Sequence, residues 1–195
     1  NKPIDRQYIK NKNADYVLFD NIGASYRAAQ ILSEYGHKNI GVIAGPQNIF
    51  TARKRLQGFL RYFEKNNIEF DKKNIYLCKE FDTESAYSIA KECLSTKDHP
   101  TALFTSSFYL TIGTLKAINE LNLKVPEDVS LIAFDSLPFY DVLKPKLWTI
   151  DQPYDLIGKV IADNLLKLIN NHLLSSEKIE IVEYSIIEGE SIKRI

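Results

Sequence analysis

Short apolar runs rich in β-branched residues alternate with amphipathic stretches of ten or more residues along most of the chain. That alternation restricts the fold more than any other feature. Tyr16–Phe19 and residues 39–44, 74–78, 101–105, 129–134 and 147–150 read as strands. Residues 22–35, 50–66, Thr83–Leu94, 107–121 and 154–170 read as helices, and in the second of these Leu56, Phe59, Leu60 and Phe63 fall on one stripe. Residues 179–187 alternate apolar and polar side chains, as a half-exposed strand does. Strands separated by helices of this length imply right-handed crossovers, so the expected fold is α/β, a mostly parallel sheet flanked by helices.

Local chemistry marks the element ends. Asn21 is the expected N-cap of the first helix and Gly36 its stop, while Ser106 or Ser107 is the expected cap of the fourth. Composition closes off several functions. The 25 basic and 25 acidic residues balance, which leaves no cationic excess for gripping nucleic acid, and no apolar run reaches membrane-spanning length. Cys78 and Cys93 form no metal or redox motif and read as two buried thiols of a reducing cytoplasm. No metal ligand set, cofactor motif or nucleophile–base–acid set stands out. Gly45-Pro46-Gln47 is not a dinucleotide fingerprint and no phosphate-binding P-loop is present. The chain is therefore expected to be no enzyme, with no cofactor, no metal and no catalytic residue.

Ligands of open parallel sheets bind beyond the carboxyl ends of the strands, so the residues just after each strand carry the information. They are Asp20 and Asn21; Gly45 to Asn48, with Arg53 and Arg55 in the following helix; Glu80, Phe81 and Asp82; Ser106 and Ser107; Asp135; and Asp151 and Gln152. Asp5 and Arg6 follow Ile4 near the start. Carboxylates, amides and a guanidinium fork with an aromatic ring suit a polyhydroxylated or heterocyclic ligand. Each position also has a plainer role: Asp20, Asn21, Asp82, Ser106 and Ser107 are good helix caps, Asp135 can close a turn, and Phe81 can belong to the core. Arg53 and Arg55 stand two apart and cannot both face one site from a regular helix.

Taken in order, several motifs resemble those of the effector-binding domain of LacI/GalR-family transcription regulators, a periplasmic-binding-protein-like fold. Asp20-Asn21-Ile22-Gly23-Ala24, one residue shorter between its two pairs, with Gly36-His37-Lys38-Asn39-Ile40, is similar to the family's DN-x-x-GA…GH-x-x-I. Ala44-Gly45-Pro46 with Arg55-Leu56-Gln57-Gly58-Phe59 is similar to GP…R-x-x-GF. The run from Val125 to Asp135, VPEDVSLIAFD, and that from Pro145 to Pro153, PKLWTIDQP, resemble two further family stretches. The resemblance runs from about Asp5 to the end of the chain.

The resemblance implies an effector-contact set of Asp5, Asp20, Arg55, Phe81, Ser107, Asp135 and Gln152, with Arg55 ranked above Arg53. One departure bears on ligand identity: Ser106-Ser107-Phe108 stands where the family commonly has Asn-Asp, so Ser107 offers a shorter reach and no amide. The implied function is sensing of a sugar or sugar phosphate in an interlobe cleft, in a cytoplasmic homodimer that reads operator DNA. A periplasmic sugar-binding protein of a transport system is the alternative. The opening Asn1-Lys2-Pro3-Ile4-Asp5 and the absence of Met lead us to expect a piece of a longer protein. By resemblance, residues 1–20 are the tail of an amino-terminal lobe, 21–150 the carboxyl-terminal lobe, and 151–195 a crossover helix and return strand. The DNA-binding helix-turn-helix is expected to lie outside this chain, which alone should bind no operator.

Overall fold

The computed structural model describes residues 15–136, 140, 142–171 and 179–195. The chain divides into two units, one of Asn1–Asp20 with Pro153–Glu183 and one of Asn21–Gln152 with Tyr184–Ile195.

The larger unit is a six-stranded sheet between two helical layers. In chain order it contains α1 (Asn21–Glu34), β2 (Ile40–Ala44), α2 (Phe50–Lys65), β3 (Ile75–Leu77), α3 (Thr83–Leu94), β4 (Ala102–Thr105), α4 (Phe108–Glu120), β5 (Ser130–Phe134), β6 (Trp148–Asp151) and β8 (Ser185–Ile187). The spatial order is β3-β2-β4-β5-β6-β8, with every pairing parallel except β6 with β8. Every residue of β2, β4 and β5 is buried. That is why these strands read as apolar runs rather than as alternations: both faces of a parallel sheet are covered.

Successive residues feed opposite layers. Leu103 joins the cluster built with α3 and α4, where Ala86, Ala90, Leu110 and Ala117 meet Ile43 and Leu131. The next residue, Phe104, points the other way and stacks on Phe59 of α2 at 5.2 Å between ring centroids. The aromatic row continues through Phe63 and Phe70 on one side and Phe134 on the other. Pairs of this kind add about 0.5–1.5 kcal/mol each beyond the area they bury. Gly58 lets α2 close on α1: a Cβ there would lie 2.3 Å from the Ile22 carbonyl oxygen.

The chain's last residues seal the opposite end of the sheet. Leu131 N donates to the Ser191 carbonyl and Ile195 N to the Tyr35 carbonyl, beside Gly36, whose φ is +96°. His37 sits beneath this segment, 3% exposed. Its Nε2 lies 3.1 Å from the Lys193 carbonyl and its Nδ1 2.9 Å from the Thr101 hydroxyl. A carbonyl only accepts, so Nε2 carries the proton; in the neutral ring Nδ1 is an acceptor, and the single Thr101 hydroxyl proton is shared between it and the Asn39 carbonyl at 3.1 Å. His37 thus has a packing role. His99 places Nδ1 against the Pro100 carbonyl and its own carbonyl accepts from Asn39 Nδ2, and His172 lies outside the described residues.

The smaller unit pairs β1 (Tyr16–Phe19) in parallel with β7 (Ile179–Val182), beside α5 (Tyr154–Asn171). Here one expectation is corrected. Residues 179–187 are not one strand: β7 ends at Val182 and pairs with β1, whereas β8 begins at Ser185 and pairs antiparallel with β6 in the other unit. The chain changes units between Glu183 and Tyr184. The apolar–polar alternation breaks at Ile181-Val182, beside this change, but a break in period does not say which strand either half pairs with.

Candidate functional site

The strand order reverses between β2 and β4. β3 lies on one side of β2 and β4 on the other, and the crevice at such a switch point is where open α/β sheets bind ligands. The loops beyond these two strands are joined there, Gly45 N donating to Ser106 Oγ at 3.3 Å. Phe81, after β3, lays its ring over Gly45 so closely that a Cβ on that glycine would fall 2.2 Å from the ring. Phe81 also packs against the α3–α4 core cluster, so the same ring belongs to the core and borders the crevice.

Arg55 comes into this crevice from α2, 6% exposed. Its Nε donates to Asn21 Oδ1 at 2.8 Å and its Nη1 to the Ser106 carbonyl at 2.7 Å. The guanidinium lies over the Phe134 ring, 3.7 Å from its centroid, and Nη1 stands 3.7 Å from Asp135 Oδ2. Arg53 takes another course, its Nη1 donating to the Gln47 carbonyl. Helix geometry separates the two arginines: α2 turns one inward and the other along its own first turn.

Asp135 is the second centre. It follows β5 with φ +72°, a backbone region in which Asp is among the better-tolerated side chains. Its Oδ1 accepts from Gln152 Nε2, and its Oδ2 accepts from Phe108 N at 3.3 Å. This second bond corrects the capping expectation. Ser107 holds the N-cap position of α4 without a side-chain cap bond, and the carboxylate arriving from β5 serves the helix N-terminus instead. Negative charge is favoured there by the helix dipole. Ser107 is left with a buried hydroxyl, 7% exposed, whose Oγ has no hydrogen-bond partner among the described residues. The neighbouring Thr111 spends its proton on the Ser107 carbonyl and accepts from Thr105. Asp82, by contrast, caps α3 as expected, accepting from Ser85 N.

Five of the seven expected residues, Arg55, Phe81, Ser107, Asp135 and Gln152, thus lie at the carboxyl end of the larger unit's sheet, Arg55 from α2 and the others from the segments after the strands. Asp20 belongs to the smaller unit, where its N donates to the Val182 carbonyl. Asp5 lies outside the described residues. Asn21, noted as a strand-end residue and a cap, was left out of the expected contact set. It stands within α1 rather than before it, and its side chain holds Arg55; the Asp-Asn pair beyond β1 was the available signal.

The other reactive groups are quiet. Burial pushes the Cys78 thiol up to about 12 and raises that of Cys93, so neither is a thiolate at neutral pH. Burial also raises the Asp151 carboxyl, with the charge of Asp135 as a lesser contribution in the same direction. No group of three metal-ligating side chains occurs among the described residues, and no helix there is long and apolar enough to cross a membrane.

A polar cluster at the switch point of a parallel sheet is the arrangement found in small-molecule-binding α/β domains. The chain belongs to the periplasmic binding protein-like domain family, whose model matches residues 29–192, and within it to the effector-binding type of LacI-family regulators. It is 35% identical over 167 residues to the HTH-type transcriptional repressor PurR of Salmonella paratyphi B, covering 86% of this chain and 49% of that protein. Among solved structures it is similar to the complex of transcriptional regulator CelR with cellobiose. That match has a TM-score of 0.82 and 27% identity, over 92% of this chain and 54% of the other. A LacI-like regulator of Bacillus cereus subsp. cytotoxis superposes with a TM-score of 0.85 at 25% identity, over 96% and 66%. The chain thus spans about half the length of the curated relatives it matches. These relatives are named as transcription regulators, in agreement with the reading that the chain is not an enzyme.

Proposed function

We propose that the chain is the effector-sensing part of a cytoplasmic LacI/GalR-type transcription regulator and that its effector is a sugar or sugar phosphate. The observation that carries this reading is the buried Arg55–Asp135 pair at the switch point, beside the Ser107 hydroxyl, which has no hydrogen-bond partner among the described residues. A guanidinium fork, a carboxylate and a hydroxyl fix the donor and acceptor directions of sugar hydroxyls, and the Phe81 ring gives a sugar face its apolar contact. The cellobiose bound by the CelR relative supports the same ligand class. Arg55, Asp135, Ser107, Phe81 and Gln152 are the proposed contacts, and Asp5 and Asp20 complete the set by resemblance.

Ligand binding acts as a population shift. An effector with different affinities for two states of the sensing domain moves the equilibrium between them by that difference and no more. In a homodimer that shift resets the spacing of two DNA-reading heads on an operator. A thermal-shift panel of monosaccharides, disaccharides, sugar phosphates and purines on the intact protein tests the ligand class. A free ligand about 100-fold above its Kd adds about 2.7 kcal/mol of stability. Stabilisation by a sugar or sugar phosphate is expected. Stabilisation by purines alone, or by no compound of the panel, overturns the sugar reading.

A further inference from the structure

The chain passes between its two units at three places: between Asp20 and Asn21, between Gln152 and Pro153, and between Glu183 and Tyr184. The side chains at two of these crossings meet the same buried pair. Asn21, the first residue after one crossing, accepts from Arg55 Nε through Oδ1. Gln152, the last residue before another, donates from Nε2 to Asp135 Oδ1. Arg55 Nη1 stands 3.7 Å from Asp135 Oδ2, so a polar chain runs Asn21, Arg55, Asp135, Gln152. It joins residues 131 positions apart in sequence, and Arg55, Asp135 and Asn21 are all buried.

We infer that Asn21 and Gln152 are positioning residues that tie the Arg55–Asp135 pair to two of the chain's crossings, so that occupancy of the pair is felt at both. The inference rests on the proposed reading of the pair as the ligand contact. Its physical content is competition for a small number of lone pairs. Asp135 already gives Oδ2 to Phe108 N and Oδ1 to Gln152. A ligand hydroxyl that donates to Oδ1 shares or displaces the Gln152 amide, and one hydrogen bond then separates the ligand from the crossing at Gln152–Pro153. At Arg55 the Nε bond to Asn21 fixes the plane of the guanidinium. A ligand that turns the fork pulls on the first residue after the other crossing. Hydrogen bonds in a water-poor interior polarise one another, so loosening one end of such a chain weakens the other.

Hydrogen exchange on the intact protein without ligand tests the tie. Asn21→Leu removes the acceptor of Arg55 Nε, Gln152→Glu replaces the amide donor by an acceptor, and Asn21→Asp keeps the acceptor. Peptides covering residues 15–24 and 148–156 report the two crossings, and one covering 86–94 in α3 is the control. Each of the first two substitutions is expected to raise exchange in the other residue's peptide by about fivefold, the size expected for one lost net hydrogen bond. The control is expected to stay unchanged and Asn21→Asp to remain at the wild-type level. Gln152 is only partly buried, so Gln152→Glu serves where Asn21→Leu fails to fold. A rise confined to the substituted residue's own peptide overturns the inference, and so does a uniform rise across all peptides in both variants. Because no ligand is present, the tie can hold while the sugar panel fails, or the reverse.

Discussion

Arg55 is enclosed by groups that all expect a cation: the Asn21 amide oxygen, the Ser106 carbonyl, the Asp135 carboxylate and the Phe134 ring face. A buried pair of this kind adds little net stability over an apolar substitute for both partners, but removing one partner strands the other. Arg55→Met should therefore cost about 3–5 kcal/mol, read as a lower denaturant midpoint. Arg55→Met combined with Asp135→Asn should recover part of that loss, because no charge is then left buried and asparagine tolerates the positive φ while still accepting a hydrogen bond.

His37 gives a second prediction at this scale. Burial depresses its folded-state pKa below 6.5; the bond to the Lys193 carbonyl opposes the shift and the Lys193 charge adds to it. The unfolded chain therefore takes up the proton first as pH falls. Stability from the neutral ring is fully present above about pH 6.5 and is lost as pH drops through the depressed folded value. The denaturation midpoint should hold steady above neutrality and decline on the acid side. His37→Gln, which can still donate to Lys193 and accept from Thr101, should flatten that decline.

What the sequence revealed at this scale was residue type at strand ends. It could not reveal partners. Asn21 and Ser107 both look like caps, yet one serves a guanidinium and the other leaves its helix to a carboxylate from a distant strand.

Among the elements, the helices and buried strands were legible to within a residue or two, because both are written in side-chain period. β5, expected at 129–134, forms over Ser130–Phe134, and α2, expected at 50–66, over Phe50–Lys65. Tertiary closeness is written elsewhere, in two glycines that the pattern treats alike. Gly58→Ala drives a methyl against the Ile22 backbone at 2.3 Å and should destabilise by about 1–3 kcal/mol through displacement of α1. Gly158→Ala, inside α5 with nothing within 4 Å of its added carbon, should stabilise by about 0.5–1 kcal/mol through helix propensity. Thermal unfolding of the two single variants, with opposite signs of shift, checks both. The division of residues 179–187 between β7 and β8 escaped the sequence for a related reason: period 2 records which face a residue takes, not which strand it pairs with.

At the scale of the whole molecule, alternating strand and helix signals were enough for an α/β parallel sheet, and the ordered motifs pointed to the family. The spatial order β3-β2-β4-β5-β6-β8 was not legible, because burial patterns do not name neighbours. That order creates the switch point, and the switch point gathers Arg55, Ser107, Asp135 and Gln152 from four separate loops or helices. The central claim is that this gathering is what a sugar-like effector binds. Calorimetric titration of the intact protein and its Arg55→Lys variant, with the sugar that stabilises the protein most in the thermal panel, tests the claim most directly. Lysine keeps the charge and loses the planar fork, so Kd should rise about 10- to 100-fold, the loss expected when charge-assisted bonds of fixed geometry are removed. An unchanged Kd in a folded Arg55→Lys variant would contradict the claim.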